Sequence, residues 1–185
     1  IYKNGEWLKV KALSKREVVK FPEPCGLVPL YFVGHPEPVT IPRYINTNEA
    51  VCKGGILPES DVQLTRTMDK LIPIKNTIIM KLVCKFFLKI FPLLTGEVEK
   101  REIISAFGCE IIGQKQQKDV RISFATVGAV AKLTSTLASI ASQMVFEREI
   151  TTPGVFPPEG CPDLNITKIV KELEKRGIYV IENAI

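Results

Sequence analysis

The chain's best candidates for chemistry are a guanidinium, an ammonium, an imidazole and a pair of glycines, all within its first third. Gly34-His35-Pro36-Glu37-Pro38 leads into Ile41-Pro42-Arg43-Tyr44, and Cys52-Lys53-Gly54-Gly55 follows soon after. Arg43 offers a planar fork that matches a carboxylate, and Lys53 supplies a compact positive charge. Gly54 and Gly55 let a ligand approach the backbone where a Cβ would stand in the way. Arg43, Lys53, Gly54 and Gly55 therefore form a candidate binding set for a small molecule bearing carboxylates. His35 is a weaker candidate, as orienting group or proton carrier, because its neighbours are prolines and one glutamate. A plainer reading is also open from the residues alone. In it Arg43 and Lys53 are solvated, Gly54-Gly55 is a turn, and His35 caps or packs.

The absences narrow the function classes. None of the twelve glycines stands in a GxGxxG arrangement or a phosphate-binding GxxxxGK loop, so the chain itself is expected to bind no dinucleotide. No serine sits in a GxSxG elbow. One histidine and five widely spaced cysteines offer no recognisable zinc pattern, and no metal is expected. The same odd, unpaired cysteine set points to reduced thiols in a cytoplasmic protein, which makes the Asn165-Ile166-Thr167 sequon an accident of composition. A net charge of +5 spread along the chain lacks the basic face of a nucleic-acid partner. The chain opens at Ile1 without a secretory pattern and reads as a piece of a longer protein.

The elements that must position the candidates are strands first and helices later. Tyr2 to Trp7 predicts a hairpin, since Asn4-Gly5 accepts the positive φ angles of a type I′ turn. Val18–Phe21 and Leu27–Val33 are predicted strands, with Pro29 demanding an edge or bulge. Glu49–Lys53 is a further short strand, and the proline-rich run from His35 is expected to be a pinned loop. A capping box over Ser60–Gln63 opens a helix carrying Leu64, Met68 and Leu71. The next helix, 76–91, is very apolar but carries Lys81, Lys85 and Lys89 on one stripe. It is too short and too charged to span a bilayer, which takes about 20 apolar residues. It reads as a core helix with its lysines facing water rather than as a membrane-surface helix.

A hairpin over 102–112 and 120–127 follows, turning at Gln114–Asp119. Leu133, Leu137, Ile140, Ala141, Met144 and Val145 then give the clearest helical stripe. After a loop at 153–162, a last helix from about Ile166 to Arg176 ends at Gly177, and Ile178–Ile181 can add a strand. The pattern predicts an α+β fold, with a mixed, mostly antiparallel sheet and helices packed on one face, in a single domain over 1–185.

Several segments resemble one family. Ile1-Tyr2-Lys3-Asn4-Gly5-Glu6-Trp7 and Val18-Val19-Lys20-Phe21-Pro22-Glu23-Pro24 are similar to saccharopine-dehydrogenase-like proteins where these leave their Rossmann domain. His35 to Ile45 with its Lys53-Gly54-Gly55 sequel, Gly154-Val155-Phe156-Pro157-Pro158-Glu159, and Leu173 to Ile178 extend the likeness to both ends. The resemblance implies an NAD(P)-dependent oxidoreductase acting on the C–N bond that joins two amino acids, as in lysine metabolism. This chain would be its substrate-binding and dimerisation domain. An N-terminal Rossmann domain of the same enzyme would hold the nucleotide, and the last helices, about 130–185, would pack toward it. The expected partners are then an amino-acid-derived substrate and a second copy of the chain, with no nucleic acid and no membrane. Family members tend to open the long helix with a Thr-Gly-Thr/Phe-Pro-Ala-like run, where this chain reads Leu133-Thr134-Ser135-Thr136-Leu137-Ala138, so substrate identity stays open. A non-catalytic association module, presenting its apolar helices to a partner, is the alternative of a different class.

Overall fold

A computed structural model describes residues 1–71, 77–95 and 103–183. Strands β1 (Tyr2–Lys3) and β2 (Glu6–Trp7) pair antiparallel. Asn4 and Gly5 between them take φ values of 53° and 84°, the left-handed pair that a type I′ turn requires. Tyr2 and Trp7 stand opposite each other, with ring centroids 5.0 Å apart. β3 (Glu17–Lys20) and β4 (Leu27–Phe32) form a second antiparallel pair. The expected strand at 49–53 is in fact two, because the chain changes sheets there. β5 (Glu49–Ala50) pairs with β1, whereas β6 (Lys53–Gly54) pairs with Tyr31 and Phe32 of β4. β6 does not reach Pro29, so this proline lies where β4 has a neighbour on one side only. That is the place a residue without an N–H can occupy.

The predicted proline loop is a helix, α1 (Glu37–Tyr44), opened by Pro36 at its N-cap. Prolines are tolerated in a first helical turn, where no N–H partner is needed. Pro42, inside the helix, cannot donate to the carbonyl of Pro38 four residues back. That carbonyl instead accepts the Trp7 indole N–H at 3.0 Å. The bond lost inside α1 is thus replaced by one that docks the first hairpin onto it.

The chain divides into two compact units, Ile1–Gly54 with Ile103–Ile185, and Gly55–Glu102, where the sequence had shown no second domain. The smaller unit carries α2 (Ser60–Leu71) and α3 (Thr77–Thr95). Lys81, Lys85 and Lys89 of α3 are exposed as expected. Ile78, Leu82, Phe86 and Leu88 are exposed as well, at 63–76%. Among the described residues no helix is long and apolar enough to cross a membrane.

In the larger unit, β7 (Ile104–Lys115) and β8 (Lys118–Ala129) form a long hairpin. Its turn is tighter than predicted, because Gln116 and Gln117 both adopt positive φ. Helix α4 (Val130–Phe146) follows directly and buries Leu133, Thr136, Ile140 and Met144. Leu137 and Val145 are half exposed, so the buried stripe is narrower than the sequence pattern. α5 (Ile166–Lys175) is capped by Asn165, whose side chain accepts from Lys168 N at 3.0 Å. It ends as expected at left-handed Gly177, with Gly177 N donating to Glu174 O and Ile178 N to Leu173 O, both at 2.9 Å. Leu173 and Ile178 join Leu133, Ile140 and Met144 in one buried cluster. β9 (Ile181–Glu182) closes onto β8. The fold class is α+β as predicted, with every pairing antiparallel, and the strands are divided among three three-stranded sheets rather than gathered in one.

Candidate functional site

The turn from β4 into α1 runs beside the link between β5 and β6, where Val33 N donates to Cys52 O at 3.5 Å. This brings His35 and Glu37, at the start of α1, up to Cys52. His35 Nδ1 and Glu37 Oε2 are in hydrogen-bonding contact. One potential ligand atom from each of His35, Glu37 and Cys52 lies within 4.8 Å of the other two. The Cys52 thiol is pushed above its ordinary pKa, first by burial and then by the negative charge of Glu37. It is therefore a protonated thiol at neutral pH, not an activated nucleophile. Tertiary contact assembles a mixed N, O and S set that no sequence spacing announced.

The four residues selected from sequence fall on different elements. Arg43 occupies the last turn of α1, not a loop at a strand end. A cation is favourable there because unsatisfied carbonyls collect at a helix C-terminus. Its side chain is exposed, and no carboxylate pairs with it among the described residues. Lys53 is engaged. Its ammonium pairs with the Glu17 carboxylate and lies 5.5 Å from the centre of the Phe32 ring. A Cβ on Gly54 would come within 3.3 Å of Val33 Cγ1, so this glycine serves the close approach of β6 to β4 rather than a ligand. Gly55 is exposed and begins the smaller unit. α1 packs against β1 and β5, whereas Lys53 belongs to the sheet of β3 and β4. Among the described residues Arg43 is thus an unpaired guanidinium and Lys53 a neutralised ammonium.

Other residues enter that the sequence did not single out. A short 3-10 turn over Pro158–Gly160 packs against α1. Gly160 is required there, because a Cβ would stand 2.6 Å from Tyr44 Cε1. Next to it, Glu159 has a carboxylate oxygen that is buried without a partner among the described residues. An orphaned buried acceptor is rare and points to something else that completes it. A cleft of about 280 Å³ lies between the β7–β8 hairpin and helices α4 and α5, walled by Phe107, Leu133, Leu137, Leu173, Ile178 and Val180. Its lining carries no charge, and Thr126 and Thr134 are its polar residues. Compared with known proteins, the chain matches no family model and no curated protein sequence.

Proposed function

We propose that this chain is the substrate-binding and dimerisation domain of a saccharopine-dehydrogenase-like, NAD(P)-dependent oxidoreductase acting on the C–N bond of an amino-acid adduct in the cytoplasm. The observation that carries the reading is the meeting of three of its family-like segments at α1. His35 to Ile45 forms this helix, the Ile1–Trp7 hairpin docks onto it through Trp7 and Pro38, and the Gly154–Glu159 run continues into the turn that seats Tyr44 on Gly160. Segments distant in sequence that share both a family likeness and a packing site behave as one module. An amino-acid adduct carries carboxylates and a protonatable amine. Arg43, exposed and unpaired among the described residues, supplies a cation for the first. Lys53, held by Glu17, fixes β6 rather than meeting substrate. The nucleotide belongs to a Rossmann domain of the same enzyme, because this segment lacks the phosphate-cradling turn.

The intact protein, given NAD or NADP and saccharopine-type secondary amines, should produce reduced nucleotide that is followed by absorbance. The isolated 185-residue chain should show no dinucleotide binding by calorimetry. An intact protein inert toward every such adduct, or micromolar dinucleotide binding by this segment, would overturn the assignment.

A further inference from the structure

We propose that His35, Glu37 and Cys52 bind a divalent metal ion of zinc-like character, which clamps the start of α1 to the link between β5 and β6. The inference goes beyond the oxidoreductase reading, and nothing in that reading requires a metal. Its first ground is the donor set. An imidazole nitrogen, a carboxylate oxygen and a thiolate sulfur together select a borderline ion such as zinc or cobalt over magnesium or calcium, which take oxygen alone. Its second ground is geometry. Zinc bonds of about 2.0–2.3 Å in a tetrahedral array place ligand atoms roughly 3.3–3.7 Å apart. The three donors already lie within 4.8 Å of one another. Parting the His35–Glu37 hydrogen bond and closing the remaining ångström or so to Cys52 is within reach of side-chain rotation, since His35 and Glu37 are about half exposed, at 52% and 47%. The backbone needs no movement, because Val33 N and Cys52 O already hold the two segments together at 3.5 Å.

Charge supplies the third ground. Glu37 and a Cys52 thiolate together neutralise a divalent ion, with His35 neutral, and the thiol proton leaves to solvent when the metal binds. His35 and Glu37 share a hydrogen bond, and their ligand atoms lie within 4.8 Å of the Cys52 sulfur. A cation at the centre of the three satisfies all of these groups at once. The fourth tetrahedral position faces solvent and would take water. Arg43 lies at the opposite end of α1, so the ion acts as a positioning element for the helix that presents this guanidinium.

The test titrates the metal-free chain with Co2+ and follows the thiolate-to-cobalt charge-transfer band, then displaces cobalt with Zn2+. One equivalent of Co2+ should develop the band and one equivalent of Zn2+ should abolish it. Cys52→Ser should eliminate the band, His35→Ala should weaken binding at least tenfold, and Cys161→Ala should leave it unchanged. Circular dichroism checks that each variant is folded. X-ray absorption of the Zn2+-loaded wild-type chain gives a result that depends on no variant: one sulfur and two protein N/O ligands are expected. No band, a band that survives Cys52→Ser, or a zinc shell without sulfur would overturn the proposal.

Discussion

At the scale of single residues, α1 shows how one missing hydrogen bond organises its surroundings. Pro42 leaves the Pro38 carbonyl without its helical donor, and the Trp7 indole fills the vacancy from another element. Arg43, one residue further on, remains unpaired among the described residues and accessible, which a guanidinium that recruits a carboxylate must be. On the proposed oxidoreductase reading, Arg43→Ala in the intact protein should raise KM for an amino-acid adduct about 10- to 100-fold, the worth of one charge-assisted hydrogen bond of about 1.5–3 kcal/mol. Nucleotide binding should change much less. Lys53→Ala should leave KM nearly unchanged, since its partner is Glu17. Steady-state kinetics on both variants decides the matter, and wild-type KM in Arg43→Ala would return this residue to the solvated surface. The residue types of Arg43 and Lys53 were legible in the sequence, but their difference was not. Lys53 is neutralised by a glutamate from a strand far back in the chain, and local spacing carries no trace of such a pairing.

At the scale of elements, the α4–α5 pair combines an apolar seam with a charged lock. The C-terminal Arg176 of α5 contacts the Glu172 carboxylate and donates through Nη2 to Gln143 Oε1 of α4 at 2.9 Å. Lys175 reaches the same carboxylate at 2.7 Å. The Lys175 hydrogen bond and then that of Arg176 lower the Glu172 pKa from an ordinary 4.5 to about 2. A carboxyl whose folded pKa is depressed stabilises the fold above its unfolded pKa, and this stability is lost as pH falls through the folded value. Thermal stability should therefore decline between about pH 4.5 and pH 2. Glu172→Gln should flatten that decline without removing it. Asp163, held down first by the Thr151 and then by the Thr152 backbone N–H, and Glu147, held down first by Gln143 and then by Lys168, are shifted the same way. Melting temperatures of both proteins from pH 6 to pH 2 make the comparison, and parallel curves would remove Glu172 from the account. The helix itself was legible from Gly177 at its end and from the apolar residues on one face, whereas the Asn165 cap emerged only with the structure.

At the scale of the whole molecule, the main issue is what covers the apolar surface. β7 is an edge strand twelve residues long, with β8 alone beside it among the described residues. It exposes Phe107, Ile111 and Ile112 at 50–71%. A long edge with apolar side chains is a template for pairing with another strand, and a second copy of the same strand gives a closed, two-fold partner. Sedimentation at tens of micromolar should therefore show a dimer, and Ile112→Lys should shift it toward monomer by placing like charges across the two-fold axis. A wild-type monomer under those conditions would count against the dimerisation role.

The sequence by itself determined the elements whose signals are local. The Asn4-Gly5 turn, the Gly177 stop and the α+β class each follow from backbone preferences or hydrophobic periods within a few residues. It misjudged α1, because two prolines at a helix start look like a loop until the Trp7 donor is known. It also misjudged the Gln116-Gln117 turn, which lacks the usual glycine or asparagine. Tertiary structure alone decided which strands share a sheet, that Lys53 is neutralised while Arg43 is not, and that His35, Glu37 and Cys52 meet. The physical reason is common to all three: pairings between distant segments depend on how the chain crosses itself, and side-chain type fixes what a group can bind but not which group will reach it.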